Sequence, residues 1–152
     1  MQETKKMHIK KRYCYDYPRP AVATDIIIIH KNKVLLVKRK NEPYKGMWSI
    51  PGGFNEENER LEDTAHRELL EETSLDIDFL KQFKAYSDPK RDPRTRVISV
   101  VFYAILPEEY EINKAQAGDD AAELEWFSLS ELPLLAFDHK IVLDEFIKFA
   151  NL

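Results

Sequence analysis

Residues 52–75 read GGFNEENERLEDTAHRELLEETSL, and the rest of the chain is organised around them. A glycine pair opens the stretch, a charged segment follows, and Arg67-Glu68-Leu69-Leu70-Glu71-Glu72 stands near its end. Leu61, Ala65 and Leu69 recur at i, i+4 and i+8, which predicts a helix from about Arg60 to Thr73 with one apolar stripe. On that helix Glu68 shares a face with Glu71 and Glu72. The placement is costly. Like charges at i,i+4 repel by roughly 0.2–0.5 kcal/mol per pair. Anions in a last turn also meet the negative end of the helix dipole, at about 0.3–1 kcal/mol. A bound divalent cation reverses both signs, and hard oxygen ligands on a rigid element suit Mg²⁺ or Mn²⁺.

Strands precede this helix. Residues 21–30 are β-branched and almost wholly apolar, which predicts a strand buried on both faces. Residues 31–33 read as a tight turn, with 34–38 pairing back as a hairpin. Residues 41–46 are a loop, and 48–50 a short strand that ends at Pro51-Gly52-Gly53. Residues 13–20 are aromatic with two prolines and read as an extended entry segment or edge strand.

After the helix, residues 75–86 return as an extended segment. Residues 87–96 (SDPKRDPRTR) form a charged loop, and 97–106 (VISVVFYAIL) a second apolar strand. Residues 107–118 are loop-like, with a short strand possible at 110–112. A further strand is expected at 124–129 and a capped helical turn at 130–132. Residues 137–149 form a closing amphipathic helix, with Ile141, Val142, Phe146 and Ile147 inward and Asp138 as N-cap. The assembly is a mixed sheet covered by two helices, an α/β (α+β) architecture.

The chain's 152 residues, 43% hydrophobic and 33% charged, suit one globular domain over 13–152 behind a flexible N-terminal tail at 1–12. A net charge of −4 argues against nucleic acid bound through a broadly basic surface. Cys14 is the sole cysteine, so neither an internal disulfide nor a cysteine-rich zinc site is available. The N-terminus lacks the apolar core of a signal peptide and no apolar run approaches a membrane span, which makes a cytoplasmic protein the expectation.

A carboxylate cluster beside a glycine turn suits phosphoryl chemistry. Metal held there neutralises substrate phosphates and lowers the pKa of a water, while a free glutamate can take the proton. The alternative is a solvated acidic face. The spacing decides between them. Gly53, five residues, Glu59, seven residues, then Arg67-Glu68-Leu69-Leu70-Glu71-Glu72-Thr73-Ser74-Leu75 resembles the Nudix box. One fixed position departs: Ser74 stands where the family has glycine. A left-handed cap there costs a non-glycine residue roughly 1 kcal/mol, and serine changes no metal-binding charge.

The resemblance implies the Nudix α/β/α sandwich, a mixed β-sheet packed between helices. It also implies hydrolysis of a nucleoside diphosphate linked to another moiety. It assigns metal binding to Glu68, Glu71 and Glu72 with the carbonyl of Gly52. The base is one of those glutamates or a loop acid outside the box. Arg67 and Glu59 support the cluster through ion pairs.

Substrate choice lies elsewhere. Residues 87–96, Ala117-Gly118-Asp119-Asp120-Ala121 and Leu135-Ala136-Phe137-Asp138-His139 look like segments of small ADP-ribose pyrophosphatases. By that resemblance ADP-ribose is cleaved to AMP and ribose 5-phosphate. Arg91, Arg94 and Arg96 are the candidate cations for phosphate or ribose oxygens, with Arg94 favoured. Asp119, Asp120 and Glu123 are the loop acids, of which one is expected to act. Tyr15, Tyr17, Trp48 and Phe54 are candidates for an adenine slot, with core packing the competing role for Trp48 and Phe54. His66 and His139 read as helix or cap residues rather than ligands.

Two rivals remain. One is an enzyme of the same family acting on a nucleoside triphosphate or another nucleotide sugar. The other is an ADP-ribose sensor of the kind fused to a winged-helix DNA-binding domain. Such a chain is expected to continue about 60–80 residues further. The end at Leu152, the intact glutamates and the acidic charge favour the enzyme. The family resemblance suggests a homodimer.

Overall fold

The structure is a computed structural model and describes residues 13–119 and 121–152. The expected tail at 1–12 and the candidate acid Asp120 lie outside the described residues.

Among the described residues, seven strands form one mixed sheet. In chain order they are β1 (Ala21–His30), β2 (Lys33–Arg39), β3 (Trp48–Ser49), β4 (Gly52–Phe54), β5 (Lys81–Tyr86), β6 (Val97–Ile105) and β7 (Ala121–Ser128). Helix α1 (Leu61–Thr73) follows β4, and α2 (His139–Ala150) ends the chain. Strand β1 runs parallel to β6 from Ala21↔Val97 to Ile29↔Ile105, and β5 extends that side antiparallel. The other edge of β1 is divided. Ile29 and His30 pair with β2, whereas Ala23–Asp25 pair with β4. Lys31 and Asn32, both at positive φ (47° and 61°), make the turn whose twist suits a tight hairpin.

The unbroken apolar run of β1 has a simple cause. Ile26 and Ile28 pack with Ala65 and Leu69 of α1 and with Leu75, Ile77 and Phe102. Ile27 and Ile29 face the other way, into a cluster with Val142, Leu143 and Phe146 of α2. Each helix covers one face, so alternate residues are buried on both sides. Burying each such side chain contributes about 1.5–3 kcal/mol.

Several local expectations are corrected. The glycine pair is not a turn: Gly52–Phe54 is a strand on β1. Residues 13–20 form no strand, and only the last part of 75–86 enters the sheet, as β5. Residues 112–114 are a short 3₁₀ turn rather than a strand, with Tyr110 and Ile112 packed against the α1-side core. Residues 130–132 make a turn without a helix; Ser128 accepts the Glu131 N–H through its carbonyl at 3.0 Å. Strand β7 begins at Ala121, earlier than expected, since its pairing with β2 continues to Arg39 through a register shift. In α2 the inward face is Val142, Leu143 and Phe146, while Ile141 is 57% exposed. Among the described residues, no helix is long and apolar enough to cross a membrane.

Candidate active site

Helix α1 starts where the Asp63 carboxylate accepts the Arg60 N–H at 3.2 Å. It ends at Ser74, which adopts the left-handed cap (φ 60°, ψ 12°) and donates its N–H to Leu70. No basic residue offsets the dipole in the last turn. The loop 115–119 supplies donors instead. Gln116 N–H reaches the Thr73 carbonyl at 2.8 Å and Gly118 N–H the Glu72 carbonyl at 3.0 Å. A Cβ on Gly118 would lie 1.8 Å from the Glu71 carbonyl oxygen, so this approach requires glycine. The docked loop brings Asp119 beside the helix, and Glu68, Glu71, Glu72 and Asp119 line one acidic cleft.

Arg67 organises this cluster. Its guanidinium meets Glu59 in a fork, at 2.5 and 3.0 Å, and also donates to the Phe54 carbonyl at 3.1 Å. Its remaining donor reaches Glu68 at 2.7 Å and Glu71 at 3.3 Å. The Arg67 bond holds the Glu59 carboxyl down at about 2. Arg67 is thus saturated with protein partners and positions the glutamates, as support rather than direct chemistry.

Glu68 lies against Gly53, where a Cβ would fall 2.2 Å from its carboxyl carbon. Burial pushes its pKa up, against the pull of Arg67. Glu72 accepts the Gly52 N–H at 3.0 Å. Burial, with Glu68 and Asp25 nearby, pushes Glu72 up to about 8 despite that bond. Gly52 therefore enters the site through its N–H. Four hard oxygen donors fit Mg²⁺ or Mn²⁺. Among the described residues, however, no three acidic or histidine side chains already converge as an ion cage. Arg67 and Gly52 hold oxygens of Glu68, Glu71 and Glu72, so the carboxylates need to turn toward an ion.

Glu72 also lines a second cleft, which Gly52 and Gly53 border. Its lining includes Arg39, Phe54, Arg94, Phe137 and His139. Beneath it is a buried polar network. Asp25 accepts the Ser99 hydroxyl at 2.5 Å and lies 3.6 Å from Arg91. Arg91 makes a two-pronged pair with Asp138 at 2.9 and 2.8 Å. His139 accepts the Ile50 N–H through Nδ1 at 2.9 Å, which leaves the proton on Nε2, 3.5 Å from Asp25. Burial lowers the His139 pKa, so the ring is held neutral.

The structure sorts the sequence candidates. Phe54 and Arg94 face the cleft, with the Arg94 guanidinium 5.1 Å from the Phe54 ring centre. Arg91 borders the cleft too, but its charge is committed to Asp138 and Asp25, and it is buried. Asp138 does occupy the N-cap position of α2, but its carboxylate bonds Arg91 and makes no capping hydrogen bond. Trp48 is not a cleft residue; its indole packs edge-on against Phe127 at 4.8 Å within the α2-side core. Glu123 pairs with Lys38 at 2.9 Å, away from the glutamates. His66 pairs with Asp76 on the surface. Tyr15 carries Arg19 over its ring at 4.1 Å and, like Tyr17, is exposed outside both clefts. Sequence reading missed Asp25, Arg39 and Phe137. Arg39, the last residue of β2, and Phe137, in the quoted LAFDH segment, gave only position as a signal.

A NUDIX domain model matches residues 19–148. An ADP-ribose pyrophosphatase of Methanocaldococcus jannaschii is 44% identical over 147 residues, covering 97% of this chain and 83% of its own length. The ADPR responsive transcriptional repressor NtrR of Acinetobacter baylyi is 35% identical over 138 residues; they cover 86% of this chain and 54% of the repressor. Among solved structures, a bifunctional NMN adenylyltransferase/ADP ribose pyrophosphatase from Francisella tularensis, complexed with AMP and a Mn ion, superposes with a TM-score of 0.76 at 26% identity. That match spans 88% of this chain and 43% of the Francisella chain.

Proposed function

The chain belongs to the Nudix family, and from that premise we propose that it hydrolyses the pyrophosphate bond of ADP-ribose, giving AMP and ribose 5-phosphate. The observation that carries the reading is the meeting of two clefts at Glu72: four carboxylates on one side, arginines and aromatic rings on the other. A diphosphate joined to two organic arms needs both. Cation-held oxygens suit the phosphates, and fork-shaped cations beside aromatic rings suit the arms.

Glu68, Glu71, Glu72 and Asp119 would hold Mg²⁺; the Gly52 carbonyl would be a further ligand by the family resemblance alone, since Gly52 meets Glu72 through its N–H. When bound, the cation supplies charge neutralisation and acidifies a water. The protein's own part is positional and protonic. Arg67 holds Glu68 and Glu71 in place, one acid of the cleft takes the water's proton, and Arg94 and Phe54 receive the rest of the substrate. The M. jannaschii relative supports the substrate, and the Mn ion in the Francisella structure supports a divalent cation.

The test is turnover of a nucleotide panel with product identification, in Mg²⁺ and in Mn²⁺. ADP-ribose is expected to lead, with AMP as product; no preference for it would remove the substrate assignment. The likeness to an ADPR responsive repressor favours one second reading, a domain that binds ADP-ribose without cleaving it. Calorimetric binding without turnover would establish that reading. A homodimer belongs to the proposal as well. The exposed Tyr13, Tyr15 and Tyr17 are surface it would use, and sedimentation velocity tests it.

A further inference from the structure

Three separate segments meet at one ring. Arg39 arrives from the end of β2, Arg94 from the charged loop at 87–96, and Phe137 from the segment before α2. The Arg39 guanidinium stands 4.8 Å from the Phe137 ring centre and the Arg94 guanidinium 5.6 Å from it. Two like charges gathered on one side chain repel, and the Arg39 pKa is lowered by burial and then by Arg94. The acids do not explain the pairing. Arg94 is matched by Asp92 at 2.7 Å. Among the described residues, no carboxylate lies within salt-bridge reach of Arg39; it donates to the carbonyls of Pro43 at 2.7 Å and Asn41 at 3.5 Å. Glu72, Asp92 and Glu42 act on it only from beyond that reach, and an aromatic face is what holds it.

The ring is itself held in an unusual way. Phe137 has φ 53°, and Tyr44, whose ring meets it edge-on at 4.8 Å, has φ 62°. Bulky side chains rarely take this backbone region, and such residues cluster where a side chain must be aimed.

We propose that Phe137 is the positioning residue of the second cleft: its ring gathers Arg39 and Arg94 into a paired cation clamp for the diphosphate of a nucleoside diphosphate substrate. The clamp rests on the reading of the cleft as a nucleotide site, but its binding readout is independent of turnover. The probe is ADP, titrated by calorimetry into the whole chain in EDTA. Arg39→Gln is expected to weaken ADP binding about ten- to a hundredfold, the loss of a charge-assisted contact. Phe137→Leu removes the ring face and keeps a Cβ, so the backbone cost is unchanged; a loss of about five- to thirtyfold is expected. Phe137→Tyr restores binding to within about threefold, because the face returns. The double variant Arg39→Gln/Phe137→Leu is expected to lose less than the product of the two single losses, since part of the Phe137 effect acts through Arg39. A purely structural Phe137 gives additive losses, and additivity with native melting temperatures overturns the clamp. So does unchanged ADP binding in Arg39→Gln, or wild-type protein that binds no ADP. Wild-type protein that binds ADP with this coupling yet hydrolyses neither ADP-ribose nor any other nucleotide of the panel supports the clamp and strikes only the reaction. In turnover of ADP-ribose, Phe137→Leu is expected to raise KM with kcat within about threefold, the mark of lost uniform binding.

Discussion

Replacing Gly53 by alanine separates the site from the fold. Gly53 lies in β4 with no left-handed backbone, so alanine is allowed there. Its Cβ, however, would stand 2.2 Å from the Glu68 carboxyl carbon and 2.3 and 2.4 Å from the two oxygens. Ordinary contact between carbons is about 3.5 Å, so the carboxylate must retreat by about 1 Å. It is the far end of a flexible side chain, and retreat is cheap. The move strains the 2.7 Å bond to Arg67, a loss of about 0.5–1.5 kcal/mol. The reduced freedom of the unfolded chain returns about 0.4–1 kcal/mol. The net is within about 1 kcal/mol, a shift of at most about 4 °C in Tm. Catalysis is not so tolerant, because a 1 Å misplacement costs on the order of a hundredfold. Gly52→Ala provides the contrast. Its Cβ would meet the Thr24 carbonyl oxygen at 2.1 Å, which is backbone of β1 and cannot swing away. Overpacking of that kind costs about 1–3 kcal/mol or more, and Tm falls. The assay is AMP release from ADP-ribose in Mg²⁺ beside a thermal melt of each variant. Full activity in Gly53→Ala would refute the argument, since Glu68 would then be displaced without consequence.

Three further outcomes are expected. The folded pKa of Glu72 is raised above its ordinary value of 4.5 to about 8, so the folded state resists its ionisation; metal-free stability falls as pH rises from about 4.5 to 8 and is level above. Glu72→Gln, melted in EDTA, should lose this slope and gain Tm at pH 8 while losing turnover; a slope unchanged by the substitution contradicts the assignment. Arg67→Ala should destabilise by about 1–3 kcal/mol, because it strands Glu59 and Glu68, and Arg67→Lys should rescue little, since a point charge cannot form the fork to Glu59; denaturant unfolding measures both. Ser74→Gly relieves a left-handed residue at φ 60° and should stabilise by up to about 1 kcal/mol, with unchanged kcat; a lower Tm would mean that the 3.4 Å contact of the Ser74 hydroxyl with the Gln116 carbonyl outweighs the strain.

What the chain disclosed in advance depended on how local its cause was. The helix at 61–73 was legible because its apolar period and its capping are settled within a few residues. The run Ile26–Ile29 was legible for a related reason: burial on both faces leaves no polar position, whatever the partners are. The sandwich of a mixed sheet between helices follows from those two facts with the box resemblance. Arg91 and Arg94 mark the limit. They stand three residues apart in one charged loop and carry the same group. One turns inward to Asp138 at 2.8 Å, and the other stacks over Phe54 at the cleft. The difference is made by Asp138, 47 residues beyond Arg91, and no local pattern contains it. Trp48 failed in the opposite direction, since an aromatic beside the glycine pair suits a slot or a core equally until Phe127 is placed against it. Arg39 and Phe137 were silent because neither has a motif; their meaning is a distance between the end of β2 and the segment before α2. The residues that a box can name are those whose partners sit within the same short stretch, 52–75. The residues proposed to receive the substrate take their partners from distant segments, and variation at such positions is expected to change specificity while Glu68, Glu71 and Glu72 stay where the helix puts them.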